Sequence, residues 1–156
     1  MSEKTQAMRV LEGRKIQYEV VEYDGDLRNA EEIALEVGEK ASNVFKTLVV
    51  TRPSGKPFLV MVAADEQLDL KKLARAVSEK KVSMASHQQA EQLTGLQVGG
   101  ISALALLNRG FVICADESMA DREWVLVSAG MRGIQLKLKA TDLIRVTGAR
   151  LIPATS

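Results

Sequence analysis

At 156 residues, 46% hydrophobic and 26% charged, the chain has the makeup of one ordinary globular domain with a single core. A net charge of +1 supplies no global field for nucleic acid, so any such binding needs a local patch. No apolar run approaches the ~20 residues of a membrane span, the start Ser2-Glu3-Lys4-Thr5-Gln6 is too polar for a signal peptide, and the lone Cys114 excludes an internal disulfide. A cytoplasmic protein without a membrane segment is therefore expected.

Helices and strands alternate along the chain. Residues 5–12 carry Met8 and Leu11 at helical spacing and stop at Gly13, a good terminator. Residues 16–21 read as a strand ending in the turn-rich run 22–26. Asn29 is a cap for a helix over 30–37, with Glu31 and Glu32 in the favoured first turn and Gly38 closing it. Residues 44–50 are short, β-branched and almost wholly apolar, a buried strand. Across Pro53-Ser54-Gly55-Lys56 it pairs with 58–63 as a hairpin. Residues 69–78 form an amphipathic helix with Leu70, Leu73, Ala74 and Val77 as its apolar stripe. A short strand over 82–84 precedes a polar helix over 86–93. Strands over 111–115, 124–127 and 134–138 and a closing helix over 142–146 complete the chain. No repeat or linker interrupts it. The expected fold is α/β in the α+β sense, one compact domain over 1–156. Its sheet is mixed and mostly antiparallel, or a partly closed barrel, with flanking helices.

Lys46 is the anomaly. Strand side chains alternate, so Val44, Lys46, Leu48 and Val50 share one side, where an unpaired ammonium is costly. Either it snorkels to water at a sheet edge, or it lines a pocket and meets an anionic or polarised ligand group. The usual catalytic parts are missing. The single histidine, His87, lies in a polar helical run, and Cys114 in Phe-Val-Ile-Cys-Ala reads as inert core. No Cys/His cluster has metal spacing, and there is neither a phosphate loop nor a nucleophile elbow, so no metal or cofactor is expected. Two glycine loops remain, Val98-Gly99-Gly100-Ile101-Ser102 and Ser128-Ala129-Gly130-Met131-Arg132-Gly133. Simple tight turns explain each alone. Together with a mid-strand lysine they make a neutral-to-positive pocket, with backbone N–H groups able to bind a developing oxyanion.

Four blocks then carry a resemblance: Val44-Phe45-Lys46-Thr47-Leu48; Gln67-Leu68-Asp69-Leu70-Lys71-Lys72; Thr94-Gly95 with Val98 to Ser102; and Val127-Ser128-Ala129-Gly130 with Arg132-Gly133. In this order they resemble the YbaK/EbsC family of aminoacyl-tRNA editing deacylases, especially its Cys-tRNA(Pro) deacylase branch. The resemblance implies a fold related to the editing insertion of prolyl-tRNA synthetases. It also implies removal of a wrong amino acid from the acceptor end of tRNA(Pro), with prolyl-tRNA synthetase as a possible docking partner. Lys46 inherits the family's active-site lysine, with Gly99 and Gly100 as its catalytic loop. Tyr23, Thr47, Ile101, Ser102, Ser128, Gly130, Arg132 and Gln135 are the implied substrate-binding positions. In the cysteine-removing branch the substrate's own thiol attacks the ester, giving a cyclic thioester and free tRNA, which needs no protein nucleophile.

Two departures bear on specificity. Ser102 is followed by Ala103-Leu104-Ala105, where the family loop commonly continues Pro-Leu-Gly, and Gln135 stands where the branch has an aspartate. They leave Ala and Ser as alternative amino acids, and a non-catalytic tRNA- or partner-binding module as the alternative class. For the tRNA itself, the helix over 69–78 turns Lys71, Lys72 and Arg75 towards solvent, with Lys80 and Lys81 following.

Overall fold

The computed structural model describes residues 4–27 and 29–156. Helix α1 spans Gln6–Gly13, capped by the Thr5 side chain, and buries Ala7, Met8 and Leu11. Strand β1 is Glu19–Glu22, shorter and later than the expected 16–21. Ile16 is buried, but its N–H closes back onto the Leu11 carbonyl, so the chain is still leaving α1 there. Helix α2, Ala30–Val37, matches its expected range: Asn29 accepts from the Glu31 N–H, and Gly38 ends it in the left-handed conformation.

Strands β2 (Phe45–Thr51) and β3 (Phe58–Ala63) form the anticipated hairpin, with Phe45 opposite Ala63 and Val50 opposite Phe58. Every residue of β3 is buried. Phe58, Val60 and Val62 enter one apolar cluster and Leu59, Met61 and Ala63 another, so this hairpin is covered on both faces, as its unbroken apolar run requires. Helix α3 (Leu70–Ala76), capped by Asp69, packs Leu73 and Ala74 on the first face. Strand β4 is Ser83–Met84, and helix α4 (His87–Thr94) starts in a capping box between Ser86 and Gln89.

Strands β5 (Val112–Asp116), β6 (Trp124–Ser128) and β7 (Ile134–Lys139) follow. Helix α5 runs Ala140–Thr147, longer at both ends than the expected 142–146. An unanticipated strand, β8 (Arg150–Ile152), pairs with β5; three residues between Gly148 and Pro153 carry too little pattern to read as a strand. The strands make two sheets, β4-β2-β3-β5-β8 and β1-β7-β6. The larger is mixed, with β3–β5 and β5–β8 parallel, and the smaller antiparallel. A bridge from Val44 to Leu126 joins them at the start of β2. Among the described residues no helix is long and apolar enough to cross a membrane.

Candidate active site

The edge of β2 is left partly uncovered. The Ala64 N–H bonds the Val44 carbonyl, so in this antiparallel register the even-numbered main-chain groups of β2 face β3. The odd-numbered ones face the other way, towards β4. That strand is two residues long and pairs only Val50 and Thr51, and Ala85 then bonds the Val49 carbonyl. Thr47 lies beyond this cover. Its amide and carbonyl point away from β3 towards this edge, a donor and an acceptor side by side.

A cavity of about 340 Å³ occupies this edge. Its volume suits a small ligand group. One wall is the strand itself, Phe45 to Val49, including Lys46 and Thr47; the others come from Gly99 and Ile101 of the first glycine loop and from Ser128 and Gln135 of the small sheet. Lys46 is half-buried and has no ion-pair or hydrogen-bond partner among the described residues. Lys46 thus lines the cavity at the edge of the sheet. Ser128 stands directly opposite Gln135 on β6 and β7, so both side chains share one face. The Ser128 hydroxyl accepts from the Gly130 N–H and so shapes the second glycine loop. Gln135 is 4% exposed, and its side-chain oxygen has no hydrogen-bond partner among the described residues. A buried amide left unpaired is costly, and the cavity beside it is where a partner would enter.

Other anticipated residues support the cavity from behind. Gly100 does not line it, and its N–H is already given to the Gln97 carbonyl at 2.8 Å, so it is not an oxyanion donor. The Gly99 and Ile101 amides carry no partner among the described residues. Gly100 is required for a different reason: an added Cβ would lie 2.9 Å from the main chain of Met131 and Arg132, so the two glycine loops touch backbone to backbone here. Arg132, an implied substrate-binding position, donates its Nε to the Val98 carbonyl at 2.8 Å and packs its stem on Gly99, clamping the loops together. The Ser102 hydroxyl, 1% exposed, accepts from the Ala105 N–H and caps the turn Leu104–Leu106. Gly130 sits behind the cavity against Ala105.

Tyr23 is buried off the cavity, with its hydroxyl unpaired. Burial pushes that hydroxyl's pKa up, partly offset by the nearby Gly133 main chain and then by the charge of Arg132. Cys114 is fully buried in β5 among the side chains facing α3, and burial raises its thiol too. His87 is a solvated helix residue, as expected, with a position the sequence did not show. It is exposed, but as the first residue of α4 it lines the cavity rim, as does Glu31 of α2. Nothing local in Ser86-His87-Gln88 signals this, because the placement depends on α4 crossing the open edge of β2. On α3, Lys71, Lys72 and Arg75 are exposed as expected, with the Lys72 ammonium bound to the Thr155 carbonyl at 2.8 Å.

This arrangement has known relatives. Residues 24–146 match the aminoacyl-tRNA editing domain. The chain is 32% identical to EbsC of Enterococcus faecalis, a proposed Cys-tRNA(Pro)/Cys-tRNA(Cys) deacylase, over 99% of this chain and 94% of that one. It is 30% identical to the multifunctional Ser/Thr-tRNA deacylase ProXp-y of Escherichia coli K12, over 60% of this chain and 56% of that one. Among solved structures, one described as a proposed trans-editing enzyme for prolyl-tRNA synthetase superposes with a TM-score of 0.83 at 27% identity, covering 99% of both chains. On its sequence and on its fold, the chain belongs to the aminoacyl-tRNA editing domain family.

Proposed function

We propose that this protein is a trans-editing deacylase that clears cysteine from mischarged tRNA(Pro), with the cavity at the β2 edge as its site. The observation that carries the reading is the half-buried, unpaired Lys46 beside the uncovered main chain of Thr47 and the free amides of Gly99 and Ile101. The 3′-terminal aminoacyl ester enters with its carbonyl towards those amides. The Thr47 carbonyl accepts from the α-ammonium, and Lys46 offsets negative charge as it builds on the ester. The substrate thiol attacks the carbonyl carbon, forming the C–S bond; the ester C–O bond then breaks, the proton passes to the ribose oxygen, and a cyclic thioester leaves. Among the described residues the cavity is lined by no cysteine, and the Ser128 hydroxyl accepts from its own loop; on this reading the substrate thiol is the nucleophile that the site orients. The similarity to EbsC supports cysteine as the amino acid, and the family supports the aminoacyl ester as the bond.

The test is a panel of Cys-, Ser- and Ala-tRNA(Pro) with Pro-tRNA(Pro) as control. Cysteine is expected to be released fastest, and S-methylation of the charged cysteine to abolish release. If S-methylcysteinyl-tRNA is cleaved as fast as the thiol form, substrate assistance is wrong; if no aminoacyl-tRNA is cleaved, the site is a binding site.

A further inference from the structure

Away from the active-site cavity, two further cavities share a wall and form one continuous groove. The first, about 290 Å³, lies between α1 and residues 104–108; the second, about 470 Å³, continues to the start of β5, the end of α5 and the start of β8. Arg14, Leu107 and Asn108 line both. Arg9 stands beside them on α1, Arg145 on α5 and Arg150 on β8, and no carboxylate lines either cavity. Only Arg145 is paired, with Asp142; among the described residues Arg9, Arg14 and Arg150 have no ion pair.

In a chain with 21 basic and 20 acidic residues, four arginines along one groove, offset among the described residues only by the Asp142 paired with Arg145, are a concentrated exception. All four are exposed, so the core does not require them. Guanidinium forks match phosphate oxygens in two-point contact. We infer that this groove binds the phosphodiester backbone of the tRNA whose aminoacyl end enters the β2 cavity, an inference that rests on the deacylase reading for the identity of that RNA.

The distances allow one molecule to reach both places. Arg150 is level with Cys114, Cys114 with Val60 and Val60 with Leu48, so three strand spacings, about 14 Å, separate the groove from the strand that lines the cavity. The groove also differs from the α3 lysines. Helices α1 and α5 pack on the apolar cluster opposite the one that α3 covers, so Arg9, Arg14 and Arg145 lie across the large sheet from Lys71 and Lys72, while Arg150, level with Cys114, stands on the edge strand β8.

The experiment is fluorescence anisotropy with uncharged tRNA across a salt series, comparing wild type with Arg14→Gln/Arg150→Gln. Affinity is expected to fall about tenfold at low salt, and the slope of log affinity against log salt to shrink by about two, one per lost phosphate contact. The melting temperature stays put, since both side chains are exposed. Cleavage of an aminoacyl-adenosine, which has no phosphodiester, is expected to be unchanged, while kcat/KM on full-length tRNA falls with the affinity. Arg14→Lys/Arg150→Lys keeps the charge and is expected to restore the slope, whereas a loss through altered packing would not be rescued. Unchanged affinity and slope in the glutamine variant, or no rescue by lysine, overturn the proposal. A wild type that binds tRNA through these arginines yet cleaves no ester would uphold the groove and sink the deacylase reading instead.

Discussion

Replacing Gly100 by alanine perturbs the point where the two glycine loops meet. The new methyl would stand 2.9 Å from the Arg132 nitrogen and from the Met131 carbonyl carbon and Cα. Unstrained contacts of this kind sit near 3.5–4.0 Å, so the loops must part by about 0.5–1 Å, and main chain cannot swing aside as a side chain does. Overpacking of this size costs about 1–3 kcal/mol of stability. The shift also displaces Gly99, Ile101 and the Arg132 clamp, and about 1 Å of misplacement costs on the order of a hundredfold in rate. Gly95→Ala is the matched control. Its φ of +74° makes alanine unfavourable by about 1–2 kcal/mol, but nothing lies within 4 Å of the new methyl and the residue is outside the cavity. Both variants are therefore expected to lose similar stability in urea titrations, while only Gly100→Ala loses turnover of aminoacyl-tRNA, measured well below its melting temperature. Equal turnover in the two would refute the claim that loop contact positions the site.

Three further outcomes are expected. Asp116 is 4% exposed; burial pushes its carboxyl up, but hydrogen bonds from Ser118, the Ala154 N–H and Thr155 outweigh that and hold it below the usual range. A lowered folded-state pKa stabilises above the unfolded value and is lost as pH falls through the folded one, so Asp116→Asn should cost about 1–3 kcal/mol at pH 7, with the gap to wild type closing below about pH 4 in urea midpoints. Cys114→Ala and His87→Ala should each keep most turnover, because the thiol is sealed in core and the imidazole stands only at the rim; a collapse with the fold intact, seen by circular dichroism, would point to protein-based nucleophilic or acid–base catalysis. Lys71→Ala/Lys72→Ala should weaken tRNA binding and flatten its salt dependence, with a small loss of stability from the freed Thr155 carbonyl; an unchanged slope would clear α3 of RNA contact.

The elements that were legible in the sequence are those written locally. Asn29 and Gly38 bracket α2 because a cap and a left-handed terminator act within a turn, and the β2–β3 hairpin shows in an apolar run broken by Pro53-Ser54-Gly55. Lys46 stood out too, as a charge on the apolar side of a strand, and it lines the cavity. What stayed hidden depends on parts of the chain meeting at a distance. Gly99 and Gly100 look equivalent in sequence, yet only Gly100 spends its amide on Gln97. Arg132 looks like a ligand group until Val98 is found 34 residues back, accepting its proton. His87 reads as a solvated helix residue, and it is one, but α4 lies across the cavity rim.

The most direct test of the account is the rate of release of cysteine from Cys-tRNA(Pro) by wild type and by Lys46→Ala, with tRNA affinity measured alongside. Lys46 is half-buried without a partner among the described residues, so its removal should leave the melting temperature within a few degrees and tRNA affinity nearly intact. The expected result is a fall in turnover of about a hundredfold or more, the cost of losing one electrostatic contact to a developing oxyanion. A Lys46→Ala protein that releases cysteine at the wild-type rate would contradict it.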